Sequence, residues 1–149
     1  MKELNLPDTK LISKEEDGKR YVFDRLRKQY VRLTPEEYVR QMFIGFLIEY
    51  KNYPEGLLAN EVCIELGNLK RRCDTVLYNK QLKPVMIIEY KAPSVKITQS
   101  VFDQIARYNM VLGVKCLIVT NGIEHYCCIA NNNGKYCFVE DIPDYSNTL

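Results

Sequence analysis

Asp74, Glu89 and Lys91 are the residue types that hydrolysis of a phosphodiester by metal-activated water requires. Two carboxylates supply hard oxygens for Mg²⁺, and an ammonium can orient or deprotonate the attacking water and steady the transition-state charge. Glu89 and Lys91 stand two apart just after the apolar run Val85-Met86-Ile87-Ile88. On a strand they would project from one face, about 7 Å apart along the backbone. If residues 72–78 and 84–91 pair as a hairpin centred between Gln81 and Leu82, Asp74 lies opposite Glu89, and all three side chains share one side. The plain alternative is an ion-pair ladder at a sheet edge, which is cheap and common. A bare Glu-x-Lys is also weak evidence, since chance supplies one in about half of chains this long. Context favours a site: an acid on the preceding strand, an apolar run leading into Glu89, and the polar break Ala92-Pro93-Ser94 after Lys91.

The elements that would position these groups can be read in order. Thr34 as N-cap, Pro35 at the first helical position and Glu37 at the third make a capping-box start. Val39, Met42, Phe43, Phe46, Leu47 and Tyr50 then repeat at helical spacing, giving about four turns that stop before Pro54. Strands are expected at 57–66, 72–78 and 84–91, the last apolar on both faces and so central in a sheet. A second helix is expected at 98–112, carrying Val101, Ile105, Tyr108 and Leu112 and ending at Gly113. A strand at 115–120 follows, and 125–129 with 135–139 bracket Asn131-Asn132-Asn133-Gly134 as a hairpin. The expected organisation is one domain over 1–149: an N-terminal arm or hairpin to residue 33 turning at Asp17-Gly18, a catalytic core at 34–120, an added hairpin at 121–142, and a loose tail at 143–149.

Bulk properties set the frame. With 149 residues and 46% hydrophobic content, the chain supports one well-filled core. A net charge of +2 argues for neither nucleic acid nor membrane by itself. Lys19, Arg20, Arg25, Arg27, Lys28, Arg32 and Arg40 nevertheless concentrate positive charge before and within the first helix. No signal peptide or membrane-length apolar run is visible, so a cytoplasmic protein without a membrane partner is expected. The six cysteines include no Cys-x-x-Cys pair and there is one histidine, His125. The cysteines read as buried small hydrophobes, and His125 as structural.

Glu37, Asp74, Glu89-Tyr90-Lys91 and Gln104-x-x-x-Tyr108, laid on an αβββαβ order, resemble the PD-(D/E)XK nuclease superfamily. Residues 33–41, Lys70-Arg71-Arg72-Cys73-Asp74, Glu89-Tyr90-Lys91-Ala92-Pro93-Ser94 and residues 102–109 resemble, more narrowly, the N-terminal nuclease domain of type I restriction enzyme R subunits. The resemblance implies an α/β, restriction-endonuclease-like fold with a central mixed sheet flanked by helices. It implies that Asp74, Glu89 and the backbone carbonyl of Tyr90 ligate Mg²⁺, with Mn²⁺ as a substitute, and that Lys91 serves the attacking water. Gln104 would contact the scissile region of a DNA substrate. Glu37 would either approach the metal site or cap its own helix, and both readings stand at this point. Arg40, Lys70, Arg71 and Arg72 are candidate phosphate contacts.

Two departures matter. Cys73 stands where the superfamily name has proline, and there is no Gly-x-x-x-x-Gly-Lys-Ser/Thr loop, so translocation would fall to a separate motor or specificity protein. Cleavage of two strands would call for a homodimer, for which no interface signal is visible. The rival functions are a non-catalytic nucleic-acid-binding or assembly module on the same fold, and a nuclease acting on RNA.

Overall fold

A computed structural model describes residues 3–146. The chain begins with a three-stranded antiparallel sheet, β1 (Ser13–Glu16), β2 (Lys19–Asp24) and β3 (Gln29–Arg32), in that spatial order. The turn at Asp17-Gly18 takes positive φ at both residues, as a tight hairpin requires. A hairpin was the expectation, and β3 is the addition. It was hidden because its turn carries no glycine: Lys28 itself adopts φ +58°, and the Asp24 carboxylate accepts the N–H groups of Leu26 and Arg27 at 2.8 and 3.1 Å.

Helix α1 (Pro35–Tyr50) follows, with the Thr34 hydroxyl accepting the Glu37 N–H at 3.0 Å. A single 3₁₀ turn, Glu55–Leu57, leads into β4 (Leu58–Leu66), β5 (Leu69–Tyr78) and β6 (Pro84–Tyr90), an antiparallel meander. Helix α2 (Gln99–Leu112) is capped by the Thr98 hydroxyl and ends at Gly113 with φ +67°, then β7 (Cys116–Thr120) pairs parallel to β6. β8 (His125–Ala130) and β9 (Tyr136–Val139) complete a six-stranded mixed sheet of order β4 to β9. The fold is the expected mixed α/β architecture, enlarged by the N-terminal three-stranded sheet.

Because β6 and β7 lie at the centre, both of their faces are buried. Met86, Ile88 and Tyr90 pack with Val39, Phe43 and Leu47 of α1, while Ile87 and Val119 pack with Phe102 and Ile105 of α2. Two helices thus cover opposite sheet faces. The tail packs against the domain at Tyr145, whose N–H donates to the Lys51 carbonyl at 2.9 Å and whose ring stands edge-on to Tyr53 at 5.7 Å. Residues 147–149 of the expected loose tail lie outside the described residues. No helix among the described residues is long and apolar enough to cross a membrane.

Candidate active site

The β5–β6 register pairs Thr75 with Ile88 and Val76 with Ile87, so its continuation sets Asp74 against Glu89. Both acids fall where the ladder ends. There the Asp74 carboxylate replaces a ladder acceptor, taking the Tyr90 N–H at 2.9 Å. On its other side, the β4–β5 pairing passes over Glu61 and Asp74, between Asn60–Thr75 and Val62–Cys73. Glu61 holds φ +56°, unusual for a strand residue outside glycine. The β4–β5 register is the same on both sides of the skipped pair, yet β5 slips in its alternation: Val76 and Cys73, three residues apart, both join the cluster on the α2 side.

Glu89 is 8% exposed. Burial first, then the Asp74 charge and a hydrogen bond between the two carboxyl groups, push its pKa up to about 8, and Arg71 and Lys91 offset this only in part. Two acids held together in this way favour either a shared proton or a cation. Lys91 continues from β6 with its N–H donated to the Thr120 carbonyl at 2.9 Å, and its ammonium has no ion-pair partner among the described residues.

The first turn of α1 presents two acids with different roles. The Glu37 carboxylate is 7% exposed and accepts from Arg40 Nε and Nη2 at 2.9 and 2.6 Å, Gln41 Nε2 at 2.9 Å and Arg27 Nη2 at 3.1 Å. Burial works to raise its pKa, but the bonds from Arg40 and Gln41 and the neighbouring positive charges outweigh it and hold the carboxyl below its usual value. Glu37 therefore neither closes a capping box nor faces the paired acids. It reaches them indirectly, because Arg40 Nη1 donates to the Asp74 carbonyl at 3.1 Å. The first-turn acid that feels the site is Glu36, whose pKa is raised by burial and then by the Asp74 charge, and lowered by Lys91. Sequence reasoning passed over Glu36 because the capping spacing drew attention to its neighbour.

A buried polar chain extends this support to the N-terminal sheet. Thr75 donates to Asn60 at 2.6 Å, Asn60 to Asp24 at 2.9 Å, and Arg27 bridges Asp24 and Glu37. Asp24 is fully buried, and the bonds from Arg27 and Asn60 overcome its desolvation to hold its pKa below the usual carboxylate value. The sheet β1–β3 is thereby wired to the strand that carries Asp74.

The remaining candidates separate. Arg40 is buried among Glu37, Glu61 and the Asp74 carbonyl. Lys70 and Arg72 point outward to Glu65 and Glu61 at 3.3 and 2.8 Å. Arg71 turns inward, donating through Nη2 to Glu89 Oε1 at 2.9 Å, with its guanidinium 4.9 Å from the Tyr108 ring centroid. Gln104 sits on the exposed face of α2 beside Tyr108, lining a groove rather than touching the paired acids. His125 is structural, bonded to Thr120 and the Asn5 carbonyl. The cysteines are all free thiols, of which Cys73, Cys116, Cys127 and Cys128 are buried.

Among the described residues no group of three or more His, Cys, Asp or Glu side chains gathers to hold a metal. The donor set is two carboxylates, which suits Mg²⁺, an ion that keeps several waters and binds through one or two carboxylates, better than Zn²⁺.

Fold and site together define an α/β domain with paired carboxylates and a free lysine at the open end of a central sheet, braced by a buried arginine network. Residues 35–143 match the family described as type I restriction enzyme R protein N terminus, and the chain belongs to that family. Comparison with curated proteins and with solved structures returns no match. Membership ties the protein to type I restriction enzymes.

Proposed function

We propose that this domain is a PD-(D/E)XK-type endonuclease that hydrolyses DNA phosphodiester bonds with Mg²⁺. The observation that carries the reading is the adjacency of Asp74 and Glu89 at the end of the β5–β6 ladder, with Lys91 one residue past β6. Family membership supports it, as does the fit of the donor set to a hard cation.

Asp74 and Glu89 would hold the ion with the Tyr90 backbone carbonyl. When bound, the ion supplies Lewis acidity toward a phosphoryl oxygen and a lowered pKa for its water. The protein's own groups supply the rest. The Tyr90 N–H fixes one Asp74 oxygen, which leaves the other for coordination. Arg40 holds the Asp74 carbonyl, so the acid keeps its place at an irregular strand position. Lys91, free of an ion pair, can hold the attacking water by hydrogen bond, take its proton if deprotonated, and balance negative charge on the phosphate.

The test is cleavage of labelled duplex DNA by the full chain in Mg²⁺ or Mn²⁺, with matched RNA in parallel. The proposal expects metal-dependent cutting of DNA that Lys91→Ala abolishes while leaving Mn²⁺ binding in place. Absence of any Mn²⁺ binding with Asp74 and Glu89 intact would overturn it, and cutting confined to RNA would replace the substrate.

A further inference from the structure

Three consecutive basic residues precede Asp74's neighbour Cys73, and they do different things. Lys70 and Arg72 form ion pairs at the surface, whereas Arg71 lies inside the site with a quarter of its side chain exposed. Its Nη2 occupies Glu89 Oε1, and its plane rests near the Tyr108 ring. Its Nε is buried with no acceptor, so the guanidinium has an unspent donor in this position.

Beyond Tyr108 the surface opens into a groove of about 530 Å³ lined by Leu69, Ser100, Gln104, Arg107, Tyr108 and Val111. Tyr108 is half exposed, and Arg107 has no ion-pair partner among the described residues. A flat ring, a free guanidinium and an amide facing a groove of this size match a nucleotide: an aromatic face for the base and a cation for the phosphate. No acidic side chain lines the groove to repel it.

We propose that Arg71 is a metal-released phosphate clamp, and that the groove between Leu69 and α2 receives the nucleotide next to the scissile one. This rests on the nuclease reading above. Without a cation, Arg71 is tied to Glu89 Oε1 by its hydrogen bond at 2.9 Å. A divalent ion at Glu89 displaces its proton, takes the oxygen that Arg71 holds and repels the guanidinium, which pivots on the Tyr108 ring toward a phosphate of the bound strand. Metal and nucleic acid then bind cooperatively through a residue of this chain, apart from any bond between ion and phosphate.

The experiment measures anisotropy of a short fluorescein-labelled DNA duplex on the full-length protein, in EDTA and in Ca²⁺, over a series of NaCl concentrations. Wild type should gain affinity in Ca²⁺, with a steeper salt dependence. Arg71→Ala should lose about tenfold in Ca²⁺ yet change less than about twofold in EDTA, and its log K against log[salt] slope in Ca²⁺ should flatten by about one phosphate contact. Arg71→Met, which keeps the stem against Tyr108 without the charge, should behave likewise and guards against a variant that merely unfolds. Tyr108→Leu should reduce the Ca²⁺ gain while Mn²⁺ titration remains unchanged. Equal losses in EDTA and Ca²⁺, or none, would overturn the clamp while leaving the nuclease reading standing. A wild-type protein that binds neither Ca²⁺ nor Mn²⁺ would overturn both.

Discussion

The Asp74 carboxylate accepts the backbone N–H of Tyr90 at 2.9 Å, so one candidate ligand is held by the residue that separates the other, Glu89, from Lys91. Asp74→Asn preserves an oxygen that can take this bond while removing the charge. Mn²⁺ affinity should fall by more than the roughly 10–100-fold typical of changes outside a coordination shell. Thermal stability without metal should hold or rise, because the variant relieves the repulsion on Glu89. Calorimetric Mn²⁺ titration beside a thermal melt checks both, and unchanged Mn²⁺ affinity contradicts the assignment.

The raised pKa of Glu89 makes stability and metal binding depend on pH in opposite directions. Its folded value of about 8 lies above the roughly 4.3 of an unfolded glutamate. The contribution of its proton to stability is therefore fully present below about pH 4.3 and is lost as pH rises through about 8. Tm of the metal-free protein should decline from about pH 4.3 to 8 and level off above that, and excess Mg²⁺ should flatten the decline. Mg²⁺ affinity should climb by up to about tenfold per pH unit and level off above about pH 8, with proton release measurable in buffers of different ionisation enthalpy. A pH-independent affinity would show that Glu89 is not a ligand.

The hairpin that sets Asp74 against Glu89 was legible because strand alternation and a short turn leave one symmetric register, and Thr75–Ile88 pairing has that register. Arg71 was not legible as a neighbour of Glu89. Strict alternation puts Arg71 and Asp74 on opposite faces, whereas Arg71 bonds Glu89, the residue set against Asp74. The choice between Glu36 and Glu37 was hidden for a different reason: adjacent acids in a first turn differ only in which side the helix presents, and that depends on Arg27 reaching in from outside the helix. β3 escaped notice because a charged residue, Lys28, occupies the positive-φ position where glycine would have marked the turn.

The N-terminal segment passes over α1 at Gly45, where an added Cβ would fall 2.3 Å from Thr9 Cγ2 and 2.9 Å from Thr9 Cβ. Gly45→Ala should thus displace this segment and cost about 1–3 kcal/mol, despite alanine's better helix propensity. Thr9→Gly should restore much of the loss when combined with it. Denaturant melts of the two single variants and the double variant decide this, and a stabilised Gly45→Ala would mean that the segment does not pack there in solution.

The two first-turn acids of α1 should separate stability from metal binding. Glu37→Gln leaves the buried Arg40 beside an uncharged amide, and breaking a buried pair of this kind should cost about 3 kcal/mol, or roughly 6–12 °C in Tm. Its effect on metal should follow from a loosened Asp74, since Arg40 would no longer be held against the Asp74 carbonyl. Glu36→Gln lies at an exposed position and should change stability by less than about 0.5 kcal/mol. Its charge nevertheless acts on Asp74, so Mn²⁺ affinity should fall severalfold, more at low ionic strength than at high because an exposed charge is screened. Thermal melts and Mn²⁺ titrations at two salt concentrations give the four values required. If Glu36→Gln destabilises the fold while Glu37→Gln leaves it intact, the roles are reversed, and the arginine network is not what holds Asp74 in place.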